Sequence, residues 1–137
     1  MNALHVLNAG GHLNPALDAE VRAVTQAALD RHAAVLALDG VDVAVWVTPW
    51  GLPETGIHGY APLDHLVQIS VNPDNPHFAV SWRTELTATL AHELHHARRW
   101  SGRAPATRCW KGSSARASHS GTSARSAAGR PRTPWRT

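Results

Sequence analysis

Histidine and glutamate side chains are clustered in the segment His92-Glu93-Leu94-His95-His96. On an α-helix, residues four apart lie about 40° apart around the axis, so His92 and His96 project from one face, one turn apart. Neutral imidazole nitrogens are ligands that suit Zn²⁺, and Glu93 can act on a water at such a metal without binding the metal itself. The pattern H-E-x-x-H therefore predicts zinc ligands at His92 and His96 and a general base at Glu93.

The residues around the motif are typical of an amphipathic helix. No Gly or Pro occurs between Val80 and Ser101, and apolar residues recur there at helical spacing. The recurring apolar positions are Leu86, Leu90, Leu94 and Ala97. We expect this helix to begin near Ser81 or Trp82. Because the chain contains 10 His residues, the alternative is a helix whose histidines are merely solvated or partly buried.

Three further side chains on this helix bear on the site. Glu85 lies two turns before His92 at nearly the same azimuth, and Thr89 lies between them, so either could support the imidazoles through a hydrogen bond. A solvated helix edge is the plainer interpretation of Glu85. His95 points about 100° away from His96 and is not expected to join the same pair.

The segments before the motif predict an α+β domain. Asn14-Pro15 is a typical helix start, and the helix should run to about Ala37. Its apolar face is formed by Leu17, Val21, Val24, Ala28, Leu29 and either Val35 or Leu36. Alternating apolar and β-branched residues predict strands over Val41–Thr48 and Leu66–Asn72. The short apolar run Leu4–Leu7 is either a strand fragment or a poorly ordered lead-in.

A strand that precedes a metal-binding helix can have a role in substrate binding. If it lies at the edge of the sheet, an extended peptide can pair with it through main-chain hydrogen bonds and bring a carbonyl to the metal. Leu66–Asn72 is the candidate for this role. The alternative is an ordinary interior strand, because alternation does not distinguish an edge strand from a central one.

Charge divides the chain into two parts. Residues 1–100 contain 5 Arg and 10 acidic residues, whereas residues 101–137 contain 7 Arg, 1 Lys and no acidic residue. The basic character of the whole chain, formally +3, thus belongs to the second part, which is rich in Ser, Arg, Ala, Gly, Pro and Thr and is expected to be disordered. We expect a domain over residues 1–100 that does not bind nucleic acid. A basic arm that binds anionic partners is the alternative for the tail.

Cysteine and hydropathy restrict the protein class further. The single cysteine, Cys109, excludes an internal disulfide and a cysteine-based zinc cluster. No apolar run approaches the roughly 18 residues of a membrane span, and the N-terminus lacks the features of a signal peptide. We therefore expect no membrane partner and a cytoplasmic location.

The segment Thr89–Trp100, preceded by a strand and an Asn-Pro turn, resembles a bacterial family described as zinc-dependent proteases of the zincin type and catalogued as a domain of unknown function. The resemblance covers about residues 15–100, and its specific part is roughly residues 40–100. It implies that His92 and His96 are zinc ligands and that Glu93 is the catalytic base. It also implies a third ligand on a following helix, typically a Glu within a segment of the form E-G-L-A.

The sequence departs from this family after the motif. No Asp or Glu follows Glu93, and only Cys109 and His119 remain downstream as candidate ligands. The longer metzincin pattern is also absent, because Arg99 stands where it has Gly and Gly102 where it has His. A catalytic zinc needs three protein ligands and one open position for water. The third ligand is therefore not identified.

The abrupt change near Ser101 predicts a shifted reading frame. When the codons are read from their third nucleotide, Trp110-Lys111 must yield Glu, and the residues from Arg103 onward can yield G-P-G-Y-A-L-L-E-G-L-V-G-E-G-L-A-L. This alternative frame contains the expected E-G-L-A within an amphipathic pattern. Gene sequencing tests the hypothesis, which fails if no small insertion or deletion restores an acid-containing frame.

These observations favour a zincin-like α+β domain, truncated at about residue 100, with an N-terminal helix, a small sheet and an active-site helix. The predicted function is zinc-dependent hydrolysis of peptide bonds in a peptide or protein substrate, and this truncated chain could be an inactive form of the enzyme. The alternative is a non-catalytic domain that binds metal or a partner protein.

Overall fold

The computed structural model describes residues 1–49 and 54–102. Four strands and two helices occur in this part of the chain. In chain order they are β1 (Ala3–Leu7), α1 (Pro15–Leu36), β2 (Asp42–Val47), β3 (Ile57–Leu63), β4 (Leu66–Val71) and α2 (Phe78–Ser101). The predicted α+β class is confirmed, and Leu4–Leu7 belongs to a regular strand. The predicted basic tail lies outside the described residues from position 103 onward.

The four strands form one mixed sheet in the order β1-β2-β4-β3. β1, β2 and β4 are parallel to one another, and β3 is antiparallel to β4. Leu66–Asn72, the candidate edge strand, was the wrong choice, because β4 lies between β2 and β3 and is paired on both sides. The edge strands of this sheet are β1 and β3.

The core lies between the sheet and the two helices. Inward-facing strand residues alternate with outward-facing ones, as they must in a sheet with one covered face. Val43 and Val45 on β2 are in register with Val67 and Ile69 on β4, and all four are fully buried. α1 packs against β1, α2 packs against β3 and β4, and the helices pack against each other. Apolar burial therefore joins both helices to the sheet in a single core.

Helix α1 begins as its sequence predicts. The Asn14 side chain accepts a hydrogen bond from the Leu17 backbone N–H at 2.8 Å, and Pro15 occupies the first helical position. The helix ends at Leu36, followed by Ala37 in the left-handed conformation. Of the two residues proposed for the last apolar position, Leu36 is half-buried, whereas Val35 is 79% exposed.

Helix α2 begins at Phe78, three residues before the predicted Ser81. Phe78 and Trp82 stack with their ring centroids 5.9 Å apart, and both are buried. Burial of these rings on the inward face explains the early start, because residues four apart meet on one side of a helix. The helix continues through Ser101 and ends before Gly102.

The predicted apolar face of α2 is confirmed. Leu86, Leu90, Leu94 and Ala97 are all fully buried. This face fixes the rotation of α2 about its axis and so directs His92 and Glu93 toward the neighbouring strand β3. Neither α1 nor α2, the helices of the described ranges, has the length and apolar content needed to cross a membrane.

Candidate metal centre

The imidazoles of His92 and His96 lie next to each other on α2. Their Nε2 atoms are 3.0 Å apart, and the ring centroids are 4.6 Å apart in an edge-to-face arrangement. The His92 side chain is exposed and that of His96 is half-buried, so the two nitrogens are accessible from solvent. The structure thus brings together the two side chains that the four-residue spacing assigns to one helix face.

The separation of the two nitrogens suits a tetrahedral metal ion. Two nitrogens that each lie about 2.05 Å from a tetrahedral Zn²⁺ are about 3.3 Å apart. The observed 3.0 Å differs from that separation by about 0.3 Å, which small rotations about the side-chain bonds can supply. The distance between the two nitrogens is therefore compatible with two ligands of one zinc ion, and without a metal it is a hydrogen-bonding distance between the two rings.

Glu93 lies beside this pair but in a different environment. Its side chain is only 8% exposed, although Glu is rarely buried without a partner. Among residues 1–49 and 54–102, none donates a hydrogen bond to its carboxylate. Among the described residues no buried side-chain oxygen lacks a hydrogen-bond partner, so the Glu93 oxygens, which have none, are open to solvent while the rest of the side chain is packed. The arrangement leaves both carboxylate oxygens free to accept a proton.

A cleft of about 370 Å³ lies between strand β3 and helix α2. It is lined on the strand side by Ile57, His58 and Gly59 and on the helix side by Ala88, Thr89, His92 and Glu93. The predicted base and one predicted zinc ligand thus face the same small space.

Gly59 allows β3 to approach α2 closely. A Cβ at this position would lie 2.6 Å from both Glu93 Cγ and Thr89 Cγ2. Real Cβ atoms essentially never make contacts this short, so any other residue would require the Glu93 and Thr89 side chains, or the elements that carry them, to shift. The absence of a side chain at Gly59 therefore sets the position of the Glu93 carboxylate beneath the strand.

The other side chains proposed for the site separate into two groups. Thr89 lines the cleft, whereas Glu85 does not. His95 points away from the pair, and its Nδ1 lies 2.8 Å from the Ala91 carbonyl oxygen. The expectation that His95 stands apart from His92 and His96 is therefore confirmed by the geometry.

His95 instead lies near His32 on α1. His32 lines a groove of about 490 Å³ between the two helices, together with Arg31 and Arg83. Burial, and to a smaller extent the charges of Arg31 and His95, lower the pKa of His32 below its ordinary value. These surroundings therefore favour the neutral form of His32 over the charged form.

A third metal ligand is not found in the described ranges. Within residues 1–49 and 54–102, no group of three or more His, Cys, Asp or Glu side chains is arranged to hold a metal ion. Cys109 and His119, the downstream candidates from the sequence, lie outside these ranges. The described part of the chain thus contains the two predicted ligands and the predicted carboxylate base, without a third ligand.

Comparison with family models, curated proteins and solved structures finds no match for this chain. The functional interpretation therefore depends on the residues themselves. The resemblance noted from the motif stays a prediction.

The contribution of β3 was missed from the sequence. Ile57, Gly59 and Ala61 alternate on its inward side, but glycine and alanine give a weak hydrophobic signal. The sequence did contain one indication of this strand, which is a glycine between the apolar residues Ile57 and Ala61. A glycine inside a strand often marks a close approach of another element.

Proposed function

We propose that this chain is a zinc-dependent peptidase domain of the zincin type, acting on peptide or protein substrates. The observation that carries the proposal is the Glu93 carboxylate, which lines the cleft, has no donor among the described residues and lies beside two imidazole nitrogens 3.0 Å apart. A carboxylate that no protein donor holds is available to a water in the cleft.

Each residue of the candidate site would have a separate role in the reaction. Bound Zn²⁺ would supply a Lewis acid that polarises a carbonyl and acidifies water. His92 and His96 would hold the ion through Nε2. Glu93 would accept a proton from the attacking water at a carboxylate oxygen and pass it to the leaving amine. Because His92 and Glu93 line the same cleft, this proton transfer would occur there.

Substrate would lie along strand β3, which replaces β4 in this role. β3 is an edge strand and also forms one wall of the cleft. An extended peptide added at a sheet edge gains affinity from main-chain hydrogen bonds, and pockets for its alternate side chains give specificity. The peptide would then cross the cleft directly above Glu93.

The third zinc ligand would come from the residues beyond Gly102. In the sequence as it stands, Cys109 or His119 would have to provide it. In the restored reading frame, the Glu of E-G-L-A would provide it instead. The proposal therefore predicts that zinc affinity and activity differ between the two versions of the chain.

The test compares zinc content and casein hydrolysis for the chain as it stands, the chain with the frame restored, and Glu93→Gln in each. We expect the restored chain to bind one zinc ion per molecule and to cleave casein, and Glu93→Gln to keep the zinc but lose the cleavage. Cleavage that survives Glu93→Gln, or a restored chain that binds no zinc, would contradict the proposal.

A second candidate function is a non-catalytic metal-binding or interaction domain. The observation that favours it is the presence of only two suitable ligands among the described residues. This candidate predicts stoichiometric zinc with no hydrolysis in either version of the chain. The same experiment therefore distinguishes the two functions.

A further inference from the structure

The backbone groups of β3 alternate between β4 and the outer edge of the sheet. The Asn72 N–H donates to the Gly56 carbonyl at 2.7 Å, so Gly56 directs its groups toward the β4 side. The Thr48 N–H donates to the Val71 carbonyl at 3.0 Å, so the backbone groups of Val71 point toward β2. Val71 is the register partner of Ile57. Backbone direction alternates along an antiparallel pair, and the N–H and C=O of Ile57 therefore point away from β4.

The same alternation applies one step further along the strand. Gly59 is in register with Ile69 and is two residues from Ile57, so its N–H and C=O also point away from β4. Regular pairing with β4 is interrupted between Tyr60 and Leu63. Ile57 and Gly59 are thus the two residues of the regular part of β3 that present backbone groups to the outer edge.

The Thr55 side chain binds the backbone of Ile57, the first of these two residues. The Ile57 N–H donates to Thr55 Oγ1 at 3.2 Å, and the same hydroxyl donates to the Ile57 carbonyl at 3.2 Å. One side chain therefore satisfies both backbone groups that Ile57 would otherwise offer to an incoming strand. Within the described ranges, no side chain bonds to Gly59 in this way.

We propose that Thr55 is a specificity-determining residue that ends the peptide-docking edge of β3. A substrate strand would pair with the N–H and C=O of Gly59, directly above Glu93, and could not pair with Ile57. This inference rests on the proposed function in so far as it makes the docked peptide the substrate. On its side of the cleft, Thr55 would therefore limit the recognised part of the substrate to residues close to the cleaved bond.

Amide hydrogen exchange measured by NMR on the full chain tests this inference without requiring hydrolysis. The probe is an acetylated and amidated octapeptide of alternating valine and threonine. In the wild type we expect the Ile57 amide to exchange slowly with or without peptide, and the Gly59 amide to become protected only when peptide is added. In Thr55→Ala the Ile57 amide should exchange quickly and become protected by the peptide, whose affinity should rise about two- to tenfold.

Thr55→Ser is the matched control, because it keeps the hydroxyl and should behave as the wild type does. The inference is overturned if the peptide fails to protect Gly59, or if Thr55→Ala changes neither Ile57 exchange nor peptide affinity while Thr55→Ser is folded. Failure of the proposed function has a different signature. It would leave Gly59 protected by peptide while no version of the chain shows hydrolysis that depends on Glu93.

Discussion

Gly59 on β3 and Glu93 on α2 approach each other so closely that a methyl group cannot be accommodated between them. The position a Cβ would take on Gly59 is 2.6 Å from Glu93 Cγ and 3.1 Å from Glu93 Oε1. Since the strand forms one wall of the cleft and the carboxylate the other, this contact links the stability of the fold directly to the geometry of the candidate site.

Substitution of Gly59 by alanine should therefore destabilise the domain. The new methyl group would overlap Glu93 and Thr89, and overpacking of this kind costs about 1–3 kcal/mol. Urea denaturation measures the free energy of unfolding. Thr89→Ser removes one of the two overlapping atoms and should restore part of the loss when combined with Gly59→Ala.

The matched control is Gly102→Ala, because the nearest atom to a Cβ there is 3.8 Å away. Its free energy of unfolding should lie within about 0.5 kcal/mol of the wild type, as is usual for surface substitutions. Equal stability of Gly59→Ala and the wild type would contradict this prediction and show that the Glu93 and Thr89 side chains, or β3 and α2 themselves, move apart at little cost.

Zinc binding should depend on His92 and His96 but not on His95. Loss of a residue that only supports a ligand typically lowers metal affinity 10–100-fold, and loss of a ligand itself should cost at least as much. We expect His92→Ala and His96→Ala each to weaken zinc binding by about tenfold or more in competition with a chromophoric chelator. His95→Ala is the control, because its Nδ1 faces the Ala91 carbonyl. A larger effect of His95→Ala than of either other variant would contradict the assignment.

Glu93 should give the domain a lower free energy of unfolding than an apolar side chain at the same position would. The Glu93 carboxylate receives no hydrogen bond from the described residues, whereas an apolar side chain of similar size would add apolar contact at a residue that is only 8% exposed. We expect Glu93→Met to raise the free energy of unfolding by up to about 1 kcal/mol, as is common when a functional site is replaced. Glu85→Met, at a half-buried position outside the cleft, should change it by less than about 0.5 kcal/mol. Destabilisation by Glu93→Met would indicate a structural role for the carboxylate.

The motif helix could be predicted from the sequence because its determinants are local. The spacing of His92 and His96 fixes their common face, and the stripe that includes Leu90 and Leu94 fixes which face is buried. Similarly, Asn14-Pro15 marks the start of α1 through a cap that forms within one turn.

The strand order could not be predicted because it depends on distant pairing. The residues of β4 alternate strongly, and this pattern is compatible with an edge or a central position. β4 is central because β3 pairs with its outer side. β3 itself is hard to recognise in the sequence, because its inner residues Gly59 and Ala61 carry little apolar surface and Pro62 is unusual within a strand. The wall of the cleft therefore became visible only in the structure.

His32 should make stability depend on pH. Burial, together with Arg31 and His95, lowers the pKa of His32, so the unfolded chain takes up a proton at a higher pH than the folded chain does. The resulting stability is complete above about pH 6.5, the usual pKa of an unfolded histidine. It is lost as the pH falls from there through the lowered pKa of the folded state. Urea denaturation between pH 8 and pH 5, with EDTA present to remove metal, should show a smaller decline for His32→Gln than for the wild type.

Arg31→Gln provides a graded comparison for this effect. Removing the neighbouring positive charge takes away the second cause of the lowered pKa but leaves burial, the first, in place. The decline in stability with falling pH should therefore be intermediate between those of the wild type and His32→Gln. If His32→Gln follows the wild-type profile throughout, protonation of His32 does not contribute to acid destabilisation, and other titrating groups account for it.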